Sequence, residues 1–333
     1  MPTVLLILKG LAENGLVKKS GTLESSGGRK PAVISLAYDA KLSVGIEITQ
    51  NHLRFVLIDL NENVLHDKKV REPFRNDDTY FRQIGAYLKA FLTGSGVDPK
   101  SVIGVGLSVP GTVDTKNNIL EYSPTLKTKN LPLDIMAKYI PYPVMSNNEA
   151  NLAGFAEIWK IDNIEDAVFL SVNKGVGGAI IIDNKLYNGI NGRSGEFGHM
   201  TIVKDGLTCS CGKKGCLEAY CSTRVLTEPG FNDVDEFFDA LNSGSRICIE
   251  KWKTYLDYLA TGINNIHTIF DSDIIVGGEI SRYLEQYSEM IYQKLLPLNT
   301  FDERRNYLHF SKYGSDASAI GAALLWVDMF LSD

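Results

Sequence analysis

The sequence contains little cysteine and histidine and has no long apolar segment. Its 333 residues include five cysteines and five histidines. No apolar run approaches the roughly 18 consecutive residues that indicate a membrane-spanning helix, so we expect no contact with a membrane. The amino terminus lacks a charged segment followed by an apolar core and a small-residue cleavage site, which is the pattern of a signal peptide. We therefore expect a cytoplasmic protein.

Net positive charge is absent as well. The formal net charge is -6 at pH 7, and an acidic chain does not attract nucleic acid through its overall field. Any contact with DNA therefore requires a local basic patch. Hydrophobic residues make up 44% of the chain and charged residues 22%, as in an ordinary globular protein, and the length is sufficient for two cores.

The few cysteines are concentrated in one segment. Four of the five lie within residues 209–221. A secreted disulfide framework spreads its cysteines through a shorter chain, whereas clustered cysteines in a cytoplasmic protein indicate a metal site. Together with a preceding histidine, three of them form the Cys3His set that zinc binds tetrahedrally. The predicted ligands are His199, Cys209, Cys211 and Cys216.

Two glycines support this prediction. Gly212 and Gly215 lie between the cysteines and allow the backbone to turn tightly enough for three thiolates to converge. Because a Cys3His shell is filled, the zinc is expected to be structural and not catalytic. The alternative is that the thiols are buried and inert, which is what we expect of Cys221 and Cys248.

The first 38 residues have the pattern of a helix followed by a β-hairpin. Apolar residues recur at helical spacing over 4–14, and Gly15 follows as a C-cap. Two short strand patterns then flank a polar turn that contains Arg29 and Lys30. Residues 1–38 are therefore predicted to form a partial winged helix-turn-helix, a recognition helix and a wing whose basic tip contacts DNA phosphates.

A complete winged helix has about three helices, and this sequence begins at the helix that would read DNA. The preceding helices are either missing from this sequence, or the DNA-reading head has degenerated. A simple helix and hairpin without a role in DNA binding is the third alternative.

The remaining sequence repeats a pattern. The segment 45–59, with two strands around a turn, is echoed by 169–183, and each continues into further strands and a helix. Two similar halves predict an α/β fold of the duplicated actin-like, ribonuclease-H-like type, with two lobes and a cleft between them. We assign 39–148 to a small N-terminal lobe that the C-terminal helix 316–333 completes, and 149–315 to a large lobe with the zinc site.

Several motifs together resemble the ROK family of repressors, open reading frames and sugar kinases. They are Gly195-Glu196-Phe197-Gly198-His199-Met200, Cys209-Ser210-Cys211-Gly212, Gly215-Cys216-Leu217-Glu218-Ala219-Tyr220, Asn184-Lys185-Leu186-Tyr187-Asn188-Gly189, Pro110-Gly111 and Gly277-Gly278. The resemblance extends over essentially the whole chain. Residues 2–31 resemble the recognition helix and wing of the repressor branch, the xylose-repressor-like regulators, and the kinase branch lacks this segment.

The resemblance implies a sugar site next to the zinc. Carboxylates suit sugar hydroxyls because each accepts two or more O–H donors, and an amide both donates and accepts. His199 is expected to bind zinc with one nitrogen and to face the sugar with the other, while the zinc holds the loop that carries the carboxylates. The alternative is that these carboxylates are ordinary exposed side chains. The implied residues are Asn148, Glu149, Glu196, His199 and Glu218.

The resemblance leaves a regulator and a kinase open. Kinases of this family use a carboxylate base in an Asn-Asp-Ala-Asn run, and here the matching residue is Glu149, one methylene longer. The kinases also carry two glycines in a phosphate loop after the first strand, and residues 47–52 have neither. Later turns keep glycines that resemble a vestigial nucleotide site, although a tight hairpin with positive φ would need glycine equally. These glycines are Gly175, Gly177, Gly178, Gly277 and Gly278.

The altered phosphate loop and the wing-like segment favour a sugar-responsive transcriptional repressor, which is not an enzyme. The alternative is an ATP-dependent sugar kinase, in which Glu149 is the general base and ATP and magnesium are required. A sugar-binding protein with neither activity is a third alternative. The expected partners are a small sugar effector, DNA if the helix-turn-helix is complete, and further copies of the chain in a homodimer or homotetramer. The expected cofactor is structural zinc.

Overall fold

The computed structural model of the protein describes residues 2–22, 32–161, 164–299 and 307–332. The strands are β1 (Val17–Thr22), β2 (Ala32–Leu36), β3 (Leu42–Ile48), β4 (His52–Asp59), β5 (Val64–Arg71), β6 (Val102–Val109), β7 (Thr112–Asp114), β8 (Ile119–Ser123), β9 (Thr128–Pro132), β10 (Val144–Asn148), β11 (Ala167–Val172), β12 (Val176–Ile182), β13 (Lys185–Leu186), β14 (Asp273–Gly277) and β15 (Leu308–Phe310). The α-helices are α1 (Pro2–Glu13), α2 (Asp78–Ser95), α3 (Leu133–Ala137), α4 (Glu149–Lys160), α5 (Glu218–Cys221), α6 (Thr223–Thr227), α7 (Val234–Asn242), α8 (Arg246–Phe270), α9 (Ser281–Leu284), α10 (Ser288–Leu295) and α11 (Ala317–Ser332). Short 3₁₀ helices cover Tyr38–Ala40, Pro99–Ser101, Phe197–His199, Glu285–Tyr287 and Gly314–Asp316.

Two five-stranded sheets have the same strand order. One runs β5-β4-β3-β6-β10 and the other β13-β12-β11-β14-β15. In each, three consecutive strands form an antiparallel meander, and two later strands are added beside the first of the three. In the second sheet the added strands are parallel to β11. The segments that echo one another in the sequence are the β3–β4 and β11–β12 hairpins, so the duplicated fold is confirmed.

The burial of these strands follows from their composition. Every residue of β11 is buried, and β3 is buried except for Glu47. Near-continuous apolar runs of this kind suit strands that are covered on both faces. Strand β5 lies at an edge and is almost entirely exposed. Its Lys68, Lys69 and Arg71 keep this edge from pairing with another chain.

Packing divides the chain into two compact units. The first comprises Met1–Leu107, Asp134–Met145 and Ala322–Asp333, and the second comprises Ser108–Leu133 and Ser146–Gly321. All five residues implied in sugar binding and all four predicted metal ligands belong to the second unit. The lobe boundaries assigned from the sequence (1–38, 39–148 with 316–333, and 149–315) remain a prediction.

Aromatic side chains occupy the core of each unit. In the first unit, α2 packs on β4, with the rings of Phe55 and Phe91 5.8 Å apart. Asp77 accepts a hydrogen bond from the amide of Tyr80 and so caps the start of α2. In the second unit, the long helix α8 buries Trp252 and Tyr255, whose rings are stacked at 5.3 Å.

The amino-terminal segment contains the predicted helix and hairpin. Helix α1 is followed by Gly15 with a φ of 72°, the C-cap expected from the sequence, and β1 pairs with β2 antiparallel. Four apolar side chains of α1 are 57% to 72% exposed, namely Val4, Leu5, Leu6 and Ile7. Arg29 and Lys30, the predicted DNA contacts, lie outside the described residues.

The C-terminal helix α11 belongs to the core. A Cβ on Gly104 in β6 would overlap the ring of Trp326, so glycine allows the helix to lie close to the strand. The indole N–H of Trp326 donates to the carbonyl of Val105 at 2.9 Å. Among the described helices, Gly314–Ser332 is long and apolar enough to match a membrane span, but 56% of its apolar window is buried inside the molecule. Burial of this kind is typical of a core helix.

Candidate metal centre and adjoining carboxylates

His199 ends a 3₁₀ turn that lies directly on strand β12. Gly195 has a φ of 79°, and a Cβ there would overlap the carbonyl of Gly178. A Cβ on Gly198 would overlap the carbonyl of Val176 in the same way. Glycine is therefore required at both positions for the turn to approach the strand backbone, and this approach places His199 at the start of the metal loop, residues 199–216.

Backbone geometry brings the cysteines of the metal loop together. The amide of Gly212 donates to the carbonyl of Cys209 at 2.9 Å and closes a tight turn around Cys211. Gly212 has a φ of 83° and open space around it, whereas Gly215, with a φ of 81°, has no room for a Cβ because the carbonyl of Val203 occupies that position. Both glycines supply a left-handed turn, and only Gly215 also permits a close approach of two backbone segments.

The four predicted ligands converge. Their ligand atoms all lie within 4.8 Å of one another. The Sγ atoms of Cys211 and Cys216 are 3.8 Å apart, and Sγ of Cys209 is 3.8 Å from Nδ1 of His199. Metal–sulfur bonds of about 2.3 Å in a tetrahedron give edges of about 3.8 Å, so these distances fit a four-coordinate cation. The cluster is thus able to hold a metal ion.

Burial affects the cysteines differently. Cys209 and Cys216 are buried, and Cys211 is exposed. Burial raises the pKa of Cys209 to about 12, so this thiol keeps its proton unless a cation takes the proton's place. Cys221 and Cys248 are also buried but lie outside the cluster, as expected from the sequence.

Glu218 connects the metal loop to the turn before β12. Its Oε1 accepts a hydrogen bond from the hydroxyl of Ser210 and lies 3.5 Å from Sγ of Cys209. Its Oε2 accepts from the amide of Val176 at 3.1 Å. A Cβ on Gly175 would lie 3.3 Å from the same Oε2, so a larger residue at 175 would crowd the carboxylate. Glu218 is therefore held at both oxygens by two separate segments.

Glu196 lies on the other side of His199. Its Oε2 is 3.9 Å from Nε2 of His199, and 42% of its side chain is exposed. Burial of the carboxyl raises the pKa of Glu196, and the charge of Glu218 raises it further, against the opposing effects of His199 and Arg193. The structure thus brings Glu196, His199 and Glu218 into one cluster with the metal ligands.

Asn148 and Glu149 begin helix α4. The side chain of Asn148 accepts from the amide of Ala150 at 2.8 Å and donates to the carbonyl of Gly111 at 2.5 Å, so its polar atoms already have partners within the chain. Glu149 is half-buried in the first helical turn. A Cβ on Gly177 would lie 3.5 Å from Cβ of Ala150, so this turn packs beside β12. Sugar binding by Asn148 and Glu149 remains a prediction.

Asn173 joins the two glycine-containing turns of the second unit. Its Oδ1 accepts from the amide of Glu279 at 2.7 Å, and its carbonyl accepts from the amide of Thr223 at 2.8 Å. The hydroxyl of Thr223 in turn donates to the carboxylate of Glu279 at 3.2 Å. The carboxylate of Glu279 is therefore held directly after Gly277 and Gly278.

Close packing accounts for most of the glycines in these turns. Positive φ occurs at one of the five predicted positions, Gly278, where φ is 90°. A tight hairpin that requires positive φ therefore does not explain the glycines around the turn before β12, since Gly175, Gly177 and Gly178 do not have positive φ. A Cβ on Gly178 or Gly277 would overlap Phe169. The predicted positions without positive φ are Gly175, Gly177, Gly178 and Gly277. Nucleotide binding by these glycines remains a prediction.

The segment that replaces the phosphate loop, in the first unit, is a closed turn between β3 and β4. The amide of Thr49 donates to the carbonyl of His52 at 2.9 Å. The amide of His52 donates to Oγ1 of Thr49 at 3.0 Å. Two backbone N–H groups of this turn are thus bonded within the chain, whereas a phosphate loop directs such groups towards its ligand.

The sequence did not predict the roles of Ser210 and Asn173. Their partners lie 8 and 106 residues away, and polar residues in loops follow no periodic pattern. The position of Ser210 between two predicted ligands was the one available indication of its role. For Asn173 the sequence contained no comparable sign.

Comparison with known proteins identifies the family. The profile of the ROK family matches residues 43–329. This chain belongs to the ROK family. The matched residues of this ROK chain include the metal loop, whereas α1, β1 and β2 precede them.

The relatives of this ROK chain include regulators and kinases. A xylose repressor from Caldicellulosiruptor bescii is 28% identical over 358 residues, with 99% of this chain and 89% of the repressor covered. The crystal structure of a ROK family transcriptional regulator, a homolog of the E. coli MLC protein, has a TM-score of 0.81 at 21% identity. This match covers 99% of this chain and 90% of the regulator chain. A ROK family glucokinase from Streptomyces griseus, solved with glucose and AMPPNP, has a TM-score of 0.70 at 26% identity. This match covers 85% of this chain and 98% of the glucokinase chain. The predicted family and fold class are confirmed.

Proposed function

We propose that this ROK chain is a sugar-responsive transcriptional repressor. The observation that carries the proposal is the extent of its similarity to the xylose repressor, which covers 99% of the chain. The similarity therefore includes α1 and the β1–β2 hairpin, which precede the start of the family profile at residue 43. A helix and a pair of strands joined by a sequence with basic residues suit contacts with DNA phosphates. The predicted contacts are Arg29 and Lys30 of that sequence.

We assign the effector site to the carboxylates beside the metal loop. Glu196 and Glu218 offer acceptors for the hydroxyl groups of a pentose or hexose, and His199 lies between them. Asn148 and Glu149 lie at the start of α4. The first turn of this helix packs beside β12, the strand whose Val176 amide donates to Glu218. Because the xylose repressor is among the relatives, xylose is the first sugar to test.

We propose that the metal ion is zinc. Three thiolates and one imidazole with tetrahedral spacing are the donor set that zinc prefers. All four positions are filled by protein atoms, so the ion is structural and fixes the loop that presents His199 and contacts Glu218. Effector binding is therefore expected to depend on the metal.

Two assays on the same metal-loaded preparation test the repressor proposal. Titration calorimetry with xylose, glucose and N-acetylglucosamine identifies the effector, and a gel-shift assay uses DNA fragments from the regions upstream of the chain's own gene and of the adjacent genes. We expect a specific shift that the bound sugar reverses. Glu218→Gln should retain the shift but lose the response to sugar, whereas the exposed Glu250→Gln should behave as the unmodified chain does. Because residues 1–38 are predicted to form only part of a winged helix-turn-helix, the assay is repeated with the preceding helices restored. A folded, metal-loaded chain that shifts none of these DNA fragments in either form contradicts the repressor proposal.

The second candidate function is an ATP-dependent sugar kinase. The observation that favours it is Glu149, a carboxylate in the first turn of α4 at the position of the kinase base, together with the similarity to the glucokinase. The closed turn at Thr49 opposes the kinase function, because the amides of Thr49 and His52 are bonded within the chain and are not directed towards a phosphate. A coupled ADP-release assay with ATP, magnesium and the same sugars separates the two functions. Sugar-dependent turnover that Glu149→Gln abolishes would establish the kinase.

A further inference from the structure

The carboxylate of Glu218 is held from two directions. Oε2 accepts from the amide of Val176 at 3.1 Å, and this amide belongs to the backbone of a buried strand. Oε1 accepts from the hydroxyl of Ser210, which lies in a turn of the metal loop outside the helices and strands. One restraint thus comes from the rigid sheet and the other from the metal loop.

Ser210 lies between two of the metal ligands. Cys209 precedes it and Cys211 follows it, and both belong to the cluster whose ligand atoms lie within 4.8 Å of one another. A cation that binds both thiolates therefore fixes the backbone on either side of Ser210. Metal binding would therefore fix the position from which the hydroxyl of Ser210 donates to Glu218.

This restraint matters because a glutamate side chain has several rotatable bonds. Ordering such a side chain on ligand binding costs affinity, and a carboxylate that is already oriented avoids that cost. Each carboxylate oxygen also has two acceptor directions. Oε1 has both the hydroxyl of Ser210 and, at 3.5 Å, Sγ of Cys209 as neighbours, whereas Oε2 accepts from the amide of Val176. A further direction on Oε2 is therefore available to a sugar hydroxyl.

We propose that Ser210 is a positioning residue that transmits the state of the metal loop to the effector site through Glu218. The inference rests on the proposed sugar site and adds to it a residue and a route of regulation. It implies that metal and sugar bind cooperatively, since each stabilises the same orientation of Glu218, and such coupling is reciprocal.

The test compares Ser210→Ala and Ser210→Thr with the unmodified chain. Threonine retains the hydroxyl and alanine removes it, at a position exposed enough to accept either side chain. Lys214→Ala is the control, since Lys214 is an exposed residue of the same loop. Zinc content is measured by atomic absorption and sugar affinity by titration calorimetry on the same samples.

We expect Ser210→Ala to retain its zinc and to bind the sugar about tenfold more weakly, as for the loss of one hydrogen bond to a charged group at a partly exposed site. Ser210→Thr should bind the sugar with an affinity within about twofold of that of the unmodified chain. Lys214→Ala should leave the zinc content and the sugar affinity unchanged. A loss of zinc would assign Ser210 to the metal loop alone and overturn the positioning role.

The outcomes separate this inference from the proposed function. If the unmodified chain binds sugar and Ser210→Ala binds it equally well, the positioning role is wrong and the effector site remains. If the unmodified, zinc-loaded chain binds none of the three sugars, the proposed effector site and the role of Ser210 are both wrong.

Discussion

The sulfur atoms of Cys211 and Cys216 lie 3.8 Å apart across five positions of the sequence. They are free thiols and not a disulfide. Two thiolates at this distance repel one another unless a cation lies between them. The backbone reversal at Gly215 makes this contact possible.

Cys216→Ser is expected to lose the metal and to destabilise the chain. Serine does not replace a thiolate ligand of zinc, so the free energy of unfolding should fall by at least about 3 kcal/mol. Atomic absorption measures the bound metal and urea unfolding measures the stability. The matched control is Cys248→Ala, which removes a buried cysteine outside the cluster and should cost about 1 kcal/mol with full metal occupancy. Equal zinc content in the two variants would exclude Cys216 as a ligand.

Two glycines of the metal loop should respond differently to alanine. Gly212 and Gly215 both have positive φ, but only Gly215 has no space for a Cβ. Gly212→Ala should therefore cost about 1 kcal/mol in stability. Gly215→Ala must in addition displace the backbone at Val203, so a reduced zinc affinity and a loss of at least about 3 kcal/mol are expected. Competition with a chromogenic chelator measures the affinity, and similar values for the two variants would show that the close approach is unimportant.

Glu157 is expected to stabilise the second unit from its interior. This carboxylate is fully buried and accepts hydrogen bonds from the amides of Lys312 and Tyr313 at 2.9 Å and 3.0 Å and from the hydroxyl of Ser311. Glu157→Ala leaves these three donors without their acceptor and should cost about 3 kcal/mol or more.

Glu250→Ala is the control for Glu157. Glu250 pairs with Lys253 at the surface, and such pairs contribute about 0.5 kcal/mol. Urea-induced unfolding followed by tryptophan fluorescence compares the two variants, and a cost below about 1 kcal/mol for Glu157→Ala would contradict the role assigned to its hydrogen bonds.

Asn148 should contribute to stability before any ligand binds. It caps helix α4 through its side-chain oxygen and donates to the carbonyl of Gly111 through its nitrogen. Asn148→Ala removes both interactions and should cost about 2 kcal/mol. Asn148→Asp keeps the cap but replaces the donor by a second acceptor, so it should cost about 1 kcal/mol. Thermal unfolding with circular dichroism ranks the variants, and an alanine variant as stable as the unmodified chain would contradict the assigned contacts.

Local features of the sequence were sufficient for several conclusions. The four candidate metal ligands, which converge in the structure, were identifiable because thiols and imidazole have specific chemistry, and three of the four lie within a short loop where spacing nearly determines proximity. The duplicated sheets were identifiable because apolar strands and their turns recur in order. The absence of glycine at Thr49 and Gln50 already predicted that the turn after β3 differs from a phosphate loop.

The amino-acid sequence was thus enough to predict the family of this protein, the class of its fold and the donor set of its candidate metal site. The pairing of polar side chains became visible in the folded chain. Glu218 meets Val176 across 42 residues, and Glu157 meets Lys312 across 155. The tertiary structure also showed that Gly178 and Gly277 are required by the ring and backbone of Phe169 and not by positive φ. The reason is physical: periodicity reports which face of a strand or helix is buried, whereas the partner of a polar atom depends on how distant segments pack.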